Sequence, residues 1–263
     1  MASAVLSILT PVFNGSAWLE GCLQNVARQM QPGIEHWIAD GGSTDGTVTI
    51  LEEYARHFPH IRWFSEKDQG QSHAMNKVIA AASGTWIGFL NVDDFYADGA
   101  LASVMRLIAQ PEVQNGILVG NLNVLRPDGT LDRVNRPAEM ELCALIADRC
   151  EWPYNPSAYF YPRALHDRIG LFPVEEHYAM DYDFILKAAT AGIPFHYVPE
   201  TWGNFRLLPE AKTSQHQAGN QSYRRAQELR DYYFEKLNFA QKINVRLLQF
   251  QWYLTLKWRR IFG

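Results

Sequence analysis

Two acids stand side by side in Phe89-Leu90-Asn91-Val92-Asp93-Asp94, where an apolar run gives way to a polar loop. Carboxylates at a strand end suit a hard divalent cation, Mn²⁺ or Mg²⁺, that shares its shell with a diphosphate. One acid can take the metal while the other turns to a ribose hydroxyl or a backbone group. The plain alternative is a turn that caps a helix. Upstream lies a second polar loop, Glu66-Lys67-Asp68-Gln69-Gly70-Gln71, in which Lys67 either screens a diphosphate or is a solvated charge. A third, Asp40-Gly41-Gly42-Ser43-Thr44-Asp45-Gly46, has glycines that let backbone come close to a phosphate or base. It lacks a P-loop lysine and is not G-x-G-x-x-G. Asp40 can accept from a base N–H, and Ser43 or Asp45 fits a helix N-cap. Far downstream, Asp181 opens a predicted helix in Tyr178-Ala179-Met180-Asp181-Tyr182-Asp183. It can be a general base for an attacking hydroxyl, with Asp183 as fallback, or an N-cap favoured by the helix dipole. The eight histidines show no metal spacing, and only His73 falls near these loops. No G-x-S-x-G elbow points to a covalent nucleophile.

These loops need a frame, and the first hundred residues supply one. Apolar runs at Val5 to Thr10, Ile34 to Ala39, Ile61 to Ser65 and Trp86 to Leu90 read as strands. Helical patterns over 17–30, 47–58, 72–83 and 98–109 separate them. Pro11 ends the first strand; Ser72 and Gly84 fit the start and end of the third helix. Strand–helix alternation predicts a mainly parallel, Rossmann-like α/β sheet flanked by helices, whose ligands sit beyond the carboxyl ends of the strands. All four unusual loops, including Thr10-Pro11-Val12-Phe13-Asn14, fall on that edge. After residue 115 the pattern changes. A hairpin is expected at 117–134 around Arg126-Pro127-Asp128-Gly129-Thr130, a helix at 139–149, and a strand at 157–161. A helix at 181–191, short strands at 195–198 and 202–206, and one or two long helices over 222–262 complete it. Two halves of one domain are expected, 1–115 and 116–221, followed by a basic amphipathic helical tail, 222–263.

The chain has 263 residues, 47% hydrophobic and 20% charged, which fits a globular protein with a real core. Its net charge of −4 argues against a nucleic-acid binder. The balance is uneven: 222–263 holds nine Lys/Arg and three acids, +6, leaving −10 elsewhere. Such a tail suits an anionic partner. Three scattered cysteines and the absence of a cleavable leader pattern point to a reducing, cytoplasmic setting.

In order, Ser7 to Asn14, Asp40 to Thr47, Glu66 to Gly70 with Ala74-Met75-Asn76-Lys77, and Phe89 to Asp94 resemble the family 2 inverting glycosyltransferases of GT-A fold, over about residues 5–215. The resemblance implies that Thr10, Pro11, Asn14, Asp40, Asp68 and Asn76 line the pocket for a nucleotide diphosphate sugar of UDP, GDP or dTDP type. It implies that Asp93 and Asp94 form the DXD-type motif, Asp94 being the foremost metal ligand and Asp93 also facing the nucleotide. The base falls on Asp181. Two departures stand out. Relatives often read Asp-Asp-Gly-Ser where this chain has Asp40-Gly41-Gly42-Ser43, so a second acid for the base is absent. Phe205-Arg206-Leu207-Leu208-Pro209-Glu210-Ala211-Lys212-Thr213 matches a segment reading F-R-x-H-x-x-S-K-T, with Leu208 and Ala211 in place of His and Ser. Arg206 and Lys212 remain to steady the diphosphate.

The implied chemistry is a single displacement. A hydroxyl of a glycan or lipid-linked acceptor, deprotonated by Asp181, attacks the anomeric carbon and inverts it, as in bacterial surface polysaccharide assembly. Trp152, Tyr154, Tyr159 and Trp202 are either acceptor platforms or core aromatics. In the tail, Ile243, Leu247, Phe250, Leu254, Trp258 and Ile261 share one face, and Val245, Leu248, Trp252 and Leu256 another. Basic residues among them suit a helix lying on the inner face of a membrane; packing against the body or a dimer partner is the alternative. Two further classes remain: a sugar nucleotidyltransferase, whose Gly-rich basic loop Pro11 to Gly15 matches poorly, and a non-catalytic nucleotide- or sugar-binding subunit.

Overall fold

A computed structural model describes residues 4–208 and 221–262, with side chains in the last helix described through Leu254 and at Lys257. Strands β1 (Leu6–Val12), β2 (Ile34–Asp40), β3 (Ile61–Ser65) and β4 (Trp86–Phe89) are all parallel, in the order β3-β2-β1-β4. Helices α1 (Ser16–Arg28), α2 (Thr47–His57) and α3 (Gln71–Ala81) make the crossovers. Every residue of β1 is buried, as a central strand covered on both faces requires. Its side chains split by alternation. Leu9 joins Met75 and Val78 of α3 in one core layer. Leu6 and Ile8 join Cys22 and Val26 of α1, with Leu101 and Val104 of α4 (Ala100–Ile108), in the other.

The sheet runs on past residue 115. β8 (Tyr159–Pro162), β6 (Ile117–Leu125), β9 (Phe195–Arg206) and β5 (Phe95–Tyr96) continue it from β4, and β7 (Leu131–Asn135) hairpins onto β6. Both halves therefore share one nine-stranded sheet. It is parallel through β4; beyond that only β6–β9 is parallel, and the other pairings are antiparallel.

Three local expectations are corrected. Pro11 does not end β1, which runs on to Val12. Strand β4 stops opposite Leu9, so β1 has only β2 beside it at Pro11, where a missing N–H is tolerated. The two short strands expected at 195–206 are one, β9, with a register slip opposite Val119 to Leu122. Pro199 sits at that slip, as prolines in strands do. Ser72 is not the cap of α3 but lies inside it, with Gly70 at the N-cap.

The tail folds as α8 (Gln221–Lys236) and α9 (Phe239–Phe262). Leu229, Tyr233, Leu237 and Val245 enter the core layer formed with α5 (Leu142–Ala147) and α7 (Met180–Thr190). Among the described residues no helix is long and apolar enough to cross a membrane.

Candidate active site

Because β1 to β4 run the same way, their carboxyl ends and following loops share one edge. Hydrogen bonds lace those loops together. Asn14, in the left-handed region at φ 50°, receives the Thr44 amide at 2.9 Å and gives its own amide to Ser43 Oγ at 2.7 Å. Asp45 accepts from the Ser16 amide and from Thr47, both amide and hydroxyl. Burial opposes its charge, but the bonds from Thr47 and Ser16 hold its carboxyl well below the usual range. Neither Ser43 nor Asp45 is the N-cap of α2, which is Gly46; Asp45, one residue earlier, accepts the amide of the helix's first residue, Thr47. Asp40, 1% exposed, accepts from the amides of Gly42 and Ser43 and the hydroxyls of Ser43 and Ser65.

These ties shape a cavity of about 620 Å³. One side is built from Pro11, Val12, Phe13, Gly41, Asp68, Gly70, Gln71, Asn91, Val92 and Asp93, all from the carboxyl end of β1, the loops that follow β1 to β4, or the first residue of α3. The other side is Tyr154, Asn155, Pro156, His177, Tyr178, Met180, Asp181, Phe205 and Ser222. Asp68 is held by the Gly70 amide at 2.8 Å. A Cβ on Gly41 would collide with Asp68 Oδ2, so a larger residue there would turn the Asp68 carboxylate aside.

Asp181 lies in the first turn of α7, partly open to the cavity yet deep in the fold. Its Oδ1 accepts from Tyr159 Oη at 3.1 Å. Tyr159 is itself fully buried and stacked on Phe184, so the carboxylate is gripped by a rigid core group. Burial pushes the Asp181 carboxyl up to about 6, against the Tyr159 bond, which lowers it. That is a proton acceptor poised near neutrality. Asp183, the fallback, is 5% exposed, accepts from Tyr233 Oη and pairs with Lys187 at 2.8 Å.

Of the residues expected in the site, Pro11, Asp68, Asp93 and Asp181 line the cavity; six others lie off its wall. Thr10 is buried, with Oγ1 on His36 Nε2 at 2.9 Å, because alternation in β1 turns it away from Pro11's face. Asp40 lies beneath the loop that follows β2, with its oxygens taken up as described, and Asn14 braces the loops. Asn76 pairs both its amide groups with the Phe172 backbone, at 2.8 and 3.0 Å. Asp94, expected as the foremost metal ligand, is 2% exposed. Its Oδ2 accepts from Asn155 at 2.7 Å and Asn91 at 3.3 Å, and its Oδ1 from the Arg206 amide at 3.2 Å. Burial, and then the Asp93 charge, push its carboxyl well above the usual range. Asp94 joins the two halves of the cavity wall, and Asp93 carries the carboxylate on its surface. The Arg206 guanidinium lies over the rings of Trp18 and Phe95, at 5.1 and 4.8 Å, away from the wall. Lys212 lies outside the described residues.

His73 accepts the Gln69 amide, and Trp202 and Tyr159 are core residues. Trp152 packs on Tyr182, which leaves Tyr154 as the one of the four aromatics on the wall. Asn155, His177, Tyr178 and Ser222 were not read from the sequence. Only the nearness of His177 and Tyr178 to Asp181 carried a signal.

Known proteins share this chain's sequence and fold. The profile described as Glycosyl transferase family 2 matches residues 7–139. The PGL/p-HBAD biosynthesis glycosyltransferase of Mycobacterium bovis is 31% identical over 193 residues, 71% of this chain and 70% of that protein. Chondroitin synthase of Escherichia coli is 34% identical over 80% of this chain but only 30% of its own length. The structure of S. aureus TarS 1-349 in complex with UDP-GlcNAc superposes with TM-score 0.69 at 18% identity, covering 91% of this chain and 69% of that one. The mannosyltransferase PcManGT from Pyrobaculum calidifontis, in complex with GDP-Man and Mn²⁺, gives 0.60 at 17% identity over 97% and 81%. The fold is therefore GT-A, and with the profile spanning half of its length the chain belongs to glycosyl transferase family 2.

Proposed function

We propose that this glycosyltransferase moves a sugar from a nucleoside diphosphate sugar to a hydroxyl of a glycan or lipid-linked acceptor, with inversion and with a divalent cation. One observation carries the reading: Asp93 and Asp68 on the loop side and Asp181 on the α7 side line a single cavity. Residues 1–115 hold the donor, 116–221 present the base and the acceptor wall, and 222–263 form the tail. UDP-GlcNAc in one structural relative and GDP-Man with Mn²⁺ in another support the donor class.

The wall offers carboxylate oxygen and no thiol, which fits Mn²⁺ or Mg²⁺. Asp93 would hold the ion, with the donor's phosphates supplying further oxygen ligands. When bound, the ion supplies neutralisation of the leaving diphosphate. The protein's part is positioning and proton transfer. The close approach of Gly41 to Asp68 shapes the wall against which the nucleotide lies. Asp181 accepts the proton of the acceptor hydroxyl as that oxygen attacks the anomeric carbon from the face opposite the diphosphate. The Tyr159 hydroxyl keeps the carboxylate aimed during the transfer. Incubation with UDP-, GDP- and dTDP-sugars of α configuration, followed early by NMR, should show diphosphate release and a β product. Release of the α anomer would end the inverting reading.

α9 leaves Phe239, Ile243, Leu247, Phe250 and Leu254 exposed in one row, while Val245 and Leu248 pack inward. Lys242, which pairs with Glu235, Arg246, whose guanidinium lies over Phe234, and Lys257 are interspersed along the same helix. An apolar row with cationic residues along its helix fits an anionic lipid surface, and we assign it to the cytoplasmic face of a membrane. Leu247→Asp with Phe250→Asp should lose co-sedimentation with anionic vesicles. Equal pelleting of variant and wild type would remove the membrane role, and concentration-dependent self-association in its place would make the row a dimer face.

A further inference from the structure

We propose that Glu176 is a positioning residue for Asp181 and that Arg225 locks it from the tail, so that α8 is a working part of the active site. The inference rests on the transferase reading above and goes beyond it by giving the tail a role in turnover. Glu176 is 4% exposed. Its Oε1 accepts from the amides of Tyr178 and Ala179, at 3.1 and 3.0 Å. Those residues lead directly into α7, whose second residue is Asp181 and whose N-cap residue makes no side-chain cap bond. The Glu176 carboxylate therefore does the work of a cap from outside the helix. Its Oε2 accepts from Arg225 Nε at 2.6 Å, and its carbonyl oxygen accepts from Ser72 Oγ at 2.7 Å.

Three elements thus meet in one residue. Ser72 follows Gln71 on the donor wall, α7 carries the base, and Arg225 lies one turn beyond Ser222, which itself reaches the cavity. Burial alone would raise the Glu176 carboxyl. Arg225 and the two amides instead hold it below its ordinary value. A buried anion of this kind depends on its cation. Without Arg225 the carboxylate gains by turning to water, which releases both amides and lets the first turn of α7 drift. A drift of about 1 Å at a catalytic group is enough to cost on the order of 100-fold in rate. The second bond of Arg225, to Glu228, is at the surface and contributes little. An ordinary fold-stabilising ion pair would show itself in thermal stability and donor binding together; a positioning pair acts on turnover.

The test uses full-length Glu176→Gln, Arg225→Gln and their double variant. Each is assayed for diphosphate release from the nucleotide sugar that wild type accepts, for binding of the matching nucleoside diphosphate with Mn²⁺, and for amide exchange over 178–184. Each single change should lower kcat about 10- to 100-fold, with diphosphate Kd within about twofold. The double variant should be no worse than either single, since the two side chains act as one unit, and Arg225→Lys should recover part of the rate. Unchanged kcat, losses that multiply, or a Kd that weakens in step with kcat would overturn the proposal. If wild type neither binds nor turns over any of UDP, GDP or dTDP and their sugars, the transferase reading fails separately. Amide exchange then decides the positioning claim: faster exchange at 178–184 in Arg225→Gln supports it, and unchanged protection refutes it.

Discussion

Replacing Asp181 by Asn should make the protein more stable and nearly inactive at once. The carboxyl rises from 3.8 to about 6 on folding. Each unit is worth about 1.4 kcal/mol, so ionised Asp181 costs up to about 3 kcal/mol of stability. Its opening onto the cavity lets water reach it and brings the expected figure to about 1–2 kcal/mol. The sign follows from proton binding. Between pH 4 and 6 the folded chain holds a proton that the unfolded chain has lost, so stability falls as pH rises through that window and is level above it. Asn escapes this cost and still accepts from Tyr159. At pH 8 the variant should melt about 3–6 °C above wild type, given about 2–4 °C per kcal/mol for a chain of this size. The gap should shrink steadily on titration from pH 6 toward 4. Transfer should fall about 10²- to 10⁴-fold, the usual worth of a general base. Differential scanning at several pH values beside a diphosphate-release assay reads both. A lower melting temperature at pH 8, or near-normal transfer, would refute the assignment.

Wild-type kcat should rise with pH to a plateau above about 6, as Asp181 ionises; a flat profile down to pH 5 would separate rate from this carboxyl. Gly41→Ala should raise donor KM at least tenfold with little change in kcat, because the new methyl displaces Asp68; steady-state kinetics decides. Asp94→Ala should lower the melting temperature by about 4 °C or more, since it strands the buried Asn155 amide; differential scanning reads it.

The first four strands and their loops were legible because the pattern is local. Strand–helix alternation places four loops on one edge, and acids or glycines in those loops announce themselves. What one dimension hid was which side chain faces the cavity. Alternation along β1 buries Thr10 and exposes Pro11's face, a parity that hung on where the strand began. Asp93 and Asp94 are neighbours in sequence, but Asn155, 61 positions away, decides that Asp94 is the buried one. The acceptor wall was less readable still. His177, Tyr178 and Ser222 meet only after β8, β6 and β9 extend the sheet and the tail folds back on α7. Tail periodicity did reveal two apolar faces, and packing of Val245 and Leu248 shows which is inward. Family membership sets aside the nucleotidyltransferase alternative, and the relatives are named as transferring enzymes.

The central claim is that a nucleoside diphosphate binds the wall that carries Asp93 with a divalent cation between them. Calorimetric titration of UDP, GDP and dTDP into wild type and Asp93→Ala, each with and without Mn²⁺, tests it most directly. Wild type should bind one diphosphate only when Mn²⁺ is present, and Asp93→Ala should lose that binding. Equal affinity of the two proteins, or binding indifferent to Mn²⁺, would contradict it.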